Sequence, residues 1–262
     1  MEPIHSTMTV CGAAVPVKRA GSGAPMLMLH GSGGASRFLP AMQMLAQQFD
    51  VIVPQAPGFG GAEIPPWLET ISDLANFYLE LMAALDLRGV HLVGLSLGGW
   101  VGAELAVRDQ SRLASLTLMD APGIFVAGVH GLDPFVLSDE AAVRAIYFDE
   151  CRADEAVKRV LAPENEDVRL GNQRIVARLA WQPRYHDPAL QRWLHRIHIP
   201  TLILWGDHDR LFPPAYGAAW QRAIPGARLV VLPRSGHLPI QEQPEEFAKL
   251  VGDFCAEERA PA

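Results

Sequence analysis

The chain has 262 residues, enough for one large α/β domain or one domain with an insertion, and 49% of them are hydrophobic, ample for a single sizeable core. Its 22 basic residues are outnumbered by 29 acidic ones, net charge −7, and no basic stripe is visible, which argues against a nucleic-acid partner. No stretch approaches the roughly 20 uninterrupted apolar residues of a membrane span, the first ten residues lack the basic start and apolar run of a secretory leader, and three widely spaced cysteines, Cys11, Cys151 and Cys255, fit free thiols in a reducing compartment, so a cytoplasmic protein without a membrane partner is expected.

In chain order, residues 7–19 read as one or two strands broken at Gly12, and 25–30 as a short buried strand running into His30-Gly31-Ser32-Gly33-Gly34. Phe38, Met42, Leu45 and Phe49 have helical spacing, which predicts a helix over 38–49. A strand at 51–53 ends in the turn-rich run 54–61. Ile71, Leu74, Phe77, Tyr78, Leu81 and Leu85 share one side of an amphipathic helix. Strands follow at 90–93, 113–119, 201–205 and 228–232, with helices at 99–107, 215–223 and 247–254. This alternation implies a mostly parallel sheet covered on both faces. Residues 122–198 break the rhythm, with helical patterns at 139–144, 154–161 and 168–181 and no convincing strand. A crossover needs only one helix, so this segment is expected to be an inserted helical cap, with 1–121 and 199–262 forming the core.

The segment 90–100 carries the chemistry. A short apolar strand meets a helical pattern through Gly94-Leu95-Ser96-Leu97-Gly98, a G-x-S-x-G that holds its serine on a sharp strand-to-helix corner. The helix N-terminus there favours a developing anion. A serine hydroxyl needs a base to take its proton, and the base needs an orienting carboxylate. Gly206-Asp207-His208-Asp209 follows one strand and Ser235-Gly236-His237 follows the last, so Ser96, an acid and His237 all fall at carboxyl ends of strands. Asp207 and Asp209 compete for the acid role. His208 between them has no second His or Cys at ligand spacing, so no metal is expected.

These motifs resemble the α/β-hydrolase superfamily along essentially the whole chain: the His30-Gly31 loop, Pro57-Gly58-Phe59-Gly60, the Ser96 turn, Gly206-x-x-Asp209 and Gly236-His237. The resemblance implies a mostly parallel eight-stranded sheet flanked by helices with an inserted helical cap. It implies a serine hydrolase without a cofactor, acting on a small-molecule ester, with Ser96 as nucleophile, His237 as base and Asp209, three residues after its glycine, as acid. It also implies an oxyanion hole built from the backbone N–H of Leu97 and of Ser32, with Gly33 as the alternative to Ser32, and a structural His30. It leaves the oligomeric state open.

Two positions depart from the family pattern. Gln55 stands where the loop commonly opens with aspartate, which changes that loop's hydrogen bonding. The meta-cleavage C–C hydrolases, which share the His30-Gly-Ser-Gly-Gly34 run, usually carry a tryptophan after the catalytic histidine and a cap arginine. Here Leu238 takes the first place, and Arg174 or Arg178 is available for the second. C–C bond or lactone hydrolysis is therefore the rival within the class, and a non-catalytic small-molecule binder the rival outside it. Gly33, Trp100, Phe212 and Leu238 are the pocket candidates, with Trp67, Trp181 and Trp193 as further aromatics that pack in the core or cap.

Overall fold

A computed structural model describes residues 2–257. Eight strands form one sheet: β1 (Ile4–Val10), β2 (Ala13–Ala20), β3 (Ala24–Leu29), β4 (Phe49–Pro54), β5 (Val90–Leu95), β6 (Leu113–Met119), β7 (Thr201–Gly206) and β8 (Arg228–Leu232), in the order β1-β2-β4-β3-β5-β6-β7-β8. β1 and β2 form an antiparallel edge, and β3 to β8 are parallel. Every residue of β4, β5 and β7 is buried, as a strand covered on both faces requires.

Alternation within each strand splits the core. Leu27, Leu29 and Leu92 pack with α2 (Ile71–Ala84), α3 (Leu97–Arg108) and Trp220 of α8 (Ala215–Ala223) on one face. Met26, Met28 and Val93 pack with α1 (Pro40–Leu45) and α10 (Pro244–Glu257) on the other. The α2 start is fixed by a capping box: Asp73 N–H donates to Thr70 Oγ1 (3.2 Å) and Thr70 N–H to Asp73 Oδ2 (2.8 Å).

The helix expected over 38–49 is shorter. Pro40 opens it at a position that needs no N–H, it closes after Leu45, and Phe49 is the first residue of β4, buried in the sheet. Periodicity alone does not separate a helix's last turn from the strand that follows.

Between β6 and β7 lie α4 (Asp139–Ile146), α5 (Glu150–Val160), α6 (Glu166–Ala180) and α7 (Pro188–Trp193). The last was not expected; Asp187 caps it and Pro188 begins it. This segment packs against the loops that follow the parallel strands: Leu132 N–H donates to the Arg210 carbonyl (2.7 Å), and Ile175 lies against Gly58.

β3 has β4 on one side and β5 on the other; the chain runs from β3 to β4 towards one edge and from β5 to β6 towards the other, so the loops after β3 and β5 diverge. Such a switch point opens a crevice at the carboxyl ends of the strands.

No helix among the described residues is long and apolar enough to cross a membrane.

Candidate active site

Ser96 sits between β5 and α3 with φ +51° and ψ −118°, a backbone conformation that L residues seldom adopt. The close crossing of strand and helix forces it. A Cβ on Gly94 would stand 2.5 Å from the Gly98 carbonyl oxygen, and one on Gly98 would stand 2.2 Å from the Leu29 carbonyl oxygen. Both positions therefore exclude every side chain, and the turn aims the Ser96 hydroxyl out of the strand end. Its own N–H is tied to the Met119 carbonyl at 2.8 Å.

The structure brings the three expected residues together. His237 Nε2 is 2.7 Å from Ser96 Oγ, and its Nδ1 is 2.8 Å from Asp209 Oδ2. Asp209 Oδ1 accepts from the N–H groups of Leu211 (2.8 Å) and Phe212 (3.1 Å). A carboxylate only accepts, so His237 Nδ1 carries the proton and Nε2 is left to accept from the serine hydroxyl. All three residues are buried, with relative exposures of 7% (Ser96), 4% (His237) and 3% (Asp209), so water screens their interactions little.

Asp207 is separate from this set. It bonds His208 Nδ1 (2.5 Å) and the Ser235 N–H (3.2 Å). Burial raises its pKa, but the hydrogen bonds from His208 and Ser235 outweigh that and hold the carboxyl below its usual range. It caps the turn that carries His237.

The β3 loop lies against the nucleophile: a Cβ on Gly31 would be 3.2 Å from Ser96 Cβ. Gly34 N–H closes the loop on the Gly31 carbonyl (3.1 Å). His30 braces it. Its Nδ1 is 2.7 Å from the Gly31 carbonyl and its Nε2 accepts the Ala56 N–H at 3.0 Å. These partners fix a neutral ring with the proton on Nδ1, the structural role expected. Gln55 adds a second brace, its Oε1 accepting the Ala35 N–H (2.8 Å). Ser32 follows Gly31 in this loop, and Leu97 follows Ser96 as the first residue of α3.

Burial pushes His30 from its ordinary 6.5 down to about 4. Between those values the unfolded chain binds a proton there and the folded chain does not. Stability is therefore complete above about pH 6.5 and falls as pH drops towards about 4, by up to about 3 kcal/mol. Urea denaturation across that window is expected to show this slope in the wild type and to lose about one proton's worth of it in His30→Asn.

Sequence reasoning missed three side chains. Asn172 of α6 donates to the Gly33 carbonyl (3.1 Å) and accepts the Gly60 N–H (2.8 Å), joining α6 to both glycine loops. Glu242 accepts from Phe148 (2.8 Å), Asp149 (3.0 Å) and Gly236 (2.5 Å), and His237 N–H donates to the Ile146 carbonyl (2.6 Å). The histidine loop is thereby fastened to the segment joining α4 and α5. Asp120, directly after β6, is fully buried beside Asp209. An acid at a strand's carboxyl end was the signal that found Asp209, and the same signal marks Asp120.

The aromatic candidates separate. Phe212 packs 5.6 Å from the His237 ring and 5.6 Å from Tyr185, which precedes α7. Trp100 is buried under Gly123. Leu238 packs with residues of α4 and α5. Trp67 stacks on Phe77 and bonds the Cys11 carbonyl, away from Ser96, while Trp181 and Trp193 are half exposed. Arg174 and Arg178 are exposed on α6.

A sequence profile described as the alpha/beta hydrolase family matches residues 26–250. The chain is a member of that family. As an α/β-hydrolase, it is 28% identical over 280 aligned positions to the 2-hydroxymuconate semialdehyde hydrolase of Pseudomonas sp. (strain CF600), covering 99% of this chain and 96% of the relative. It is 25% identical over 241 positions to Lipase 3 of Moraxella sp. (strain TA144), covering 87% and 76%. Among solved structures, a membrane phospholipase A described as a bacterial virulence factor superposes with a TM-score of 0.86 at 24% identity, covering 99% of this chain and 88% of that one. The α/β-hydrolase fold and hydrolase activity follow from these matches together with the Ser96–His237–Asp209 arrangement.

Proposed function

We propose that the chain is a serine hydrolase that cleaves a small or medium carboxylic ester through an acyl-enzyme. The observation that carries this reading is His237 bridging Ser96 Oγ at 2.7 Å and Asp209 Oδ2 at 2.8 Å in a buried site. His237 takes the hydroxyl proton as Ser96 Oγ attacks the ester carbonyl. The oxyanion of the tetrahedral intermediate meets the N–H groups of Leu97 and Ser32, each such donor being worth roughly 10²–10³ in rate. The imidazolium, steadied by Asp209, returns its proton to the departing alcohol. Water, activated by the same histidine, then releases the acid. The sequence asks for no cofactor at any step.

Residues 122–198 are read as a lid over this site, with 1–121 and 199–262 as the core. Its fastening to the glycine loops through Asn172 and to the histidine loop through Ile146 supports that role. Phe212, Trp100, Gly33 and Leu238 are the candidates for contact with substrate, and Tyr185, against Phe212, extends the wall from the lid side.

The full-length match to a 2-hydroxymuconate semialdehyde hydrolase favours C–C hydrolysis as a second reading. Leu238 in place of tryptophan and the exposure of Arg174 and Arg178 weigh against it. A panel of p-nitrophenyl esters of graded acyl length, lactones and a vinylogous diketone acid decides. Esters are expected to give the highest kcat/KM, and Tyr185→Ala to shift the acyl-length preference about tenfold. Faster cleavage of the diketone acid would favour the second reading, and an unchanged acyl profile in Tyr185→Ala would remove Tyr185 and the lid from specificity.

A further inference from the structure

Asp120 is a buried acid that the reaction as described does not use. It follows β6 in a left-handed conformation, φ +46°, which aspartate tolerates better than most residues. Its side chain is 0% exposed. Oδ1 accepts the Gly206 N–H at 2.9 Å, while Oδ2 is buried with no donor facing it. Atoms of Asp120, Asp209 and His237 lie within 4.8 Å of one another. The charged groups acting on Asp120 are acidic: Asp209 from the loop after β7 and, with a smaller effect, Glu242 from α9 (Pro239–Glu242). His237 is the titratable base of the cluster, and both its ring nitrogens are already engaged, by Asp209 and Ser96.

Two carboxylates this close in a buried site cannot both ionise. Asp209 has two backbone N–H donors and the His237 Nδ1–H; Asp120 has one backbone donor. The charge therefore belongs on Asp209 and the proton on Asp120. An unpaired oxygen beside an anion becomes satisfied once it carries that proton, because it then has a hydrogen to donate.

We propose that Asp120 holds a proton on Oδ2 and donates it as a hydrogen bond to the Asp209 carboxylate, making Asp120 a positioning residue that sets the basicity of His237. One charge, partly dispersed through the Asp120 hydroxyl, orients the imidazole and steadies the imidazolium. Two charges would hold His237 protonated and unable to accept the Ser96 proton. Burial first, and the Asp209 charge second, push the Asp120 carboxyl well above the usual carboxylate range, in agreement with this geometry.

The role rests on Ser96, His237 and Asp209 being the catalytic set; the proton itself does not. It is read first on resting protein, by ¹³C NMR of chain labelled at aspartate carboxyl carbons. One resonance is expected to be that of a protonated acid at about pH 7 and to vanish in Asp120→Asn. Ionised resonances throughout, with none assigned to a protonated Asp120, overturn the proposal without reference to turnover. The second measurement is the pH profile of kcat/KM on a chromogenic ester. In Asp120→Asn the amide keeps both the acceptor for Gly206 and a donor for Asp209, so the acid limb is expected to stay in place. In Asp120→Ala the donor is lost, and the limb is expected to rise by roughly half a unit to one unit, with kcat/KM about tenfold lower. An acid limb that moves down in Asp120→Asn marks a second charge at rest and overturns the proposal. Equal limbs in both variants mark a packing role and overturn it too. Ester turnover that survives in Ser96→Ala breaks the catalytic reading instead, and leaves the resonance to decide the proton alone.

Discussion

Ser96→Ala is expected to lower kcat on a chromogenic ester by about 10⁶, because removal of the nucleophile from such a set costs about as much as removal of the whole set. The fold is expected to survive. Alanine meets the same backbone strain at φ +51° as serine does, and the substitution deletes one hydroxyl whose bond is to His237. The neighbouring glycines, which make the turn possible, are untouched. Thermal melts and circular dichroism matching wild type, beside lost turnover, separate chemistry from folding. An active Ser96→Ala protein would refute the assignment.

Asp209→Asn is expected to cost about 10⁴ in kcat through the imidazole tautomer. Asp209 Oδ1 accepts two backbone N–H groups, from Leu211 and Phe212. An asparagine keeps both only if its oxygen takes that place, which turns its NH₂ towards His237 Nδ1. Nδ1 must then accept, the ring proton moves to Nε2, and Nε2 no longer accepts from Ser96. The opposite amide orientation preserves the tautomer but sets NH₂ against two buried N–H groups. Asp207→Asn is expected to change kcat only a few-fold, since Asp207 faces His208 and the Ser235 N–H. Steady-state kinetics of the pair checks this; a large loss in Asp207→Asn with a mild one in Asp209→Asn would place the acid wrongly.

The parts of this site that were legible in the sequence are those whose meaning is local. Ser96 is announced by the glycines two residues either side of it, and Asp209 and His237 by glycines within three residues and a preceding strand. Alternation of strand and helix gave the sheet its class. Asp120 carries the same strand-end signal as Asp209 and was passed over, whereas Asn172 and Glu242 were not legible, because their roles lie in contacts across the fold. Asn172 meets Gly33 from 139 positions away, and Glu242 reaches Phe148 across 94. In sequence each is one polar residue among many. Phe38 to Phe49 erred for the opposite reason: apolar spacing fits a helix, yet Phe49 is held at the start of β4, where burial in the sheet outweighs the local period.

The most direct test of the account is the covalent intermediate. Wild-type protein mixed with a p-nitrophenyl ester, quenched in acid within the first turnovers and mapped by peptide mass spectrometry, is expected to carry one acyl group on Ser96, matched by a burst of p-nitrophenol and absent from Ser96→Ala. Turnover that proceeds with no acylated peptide, or with the acyl group on another residue, would contradict it.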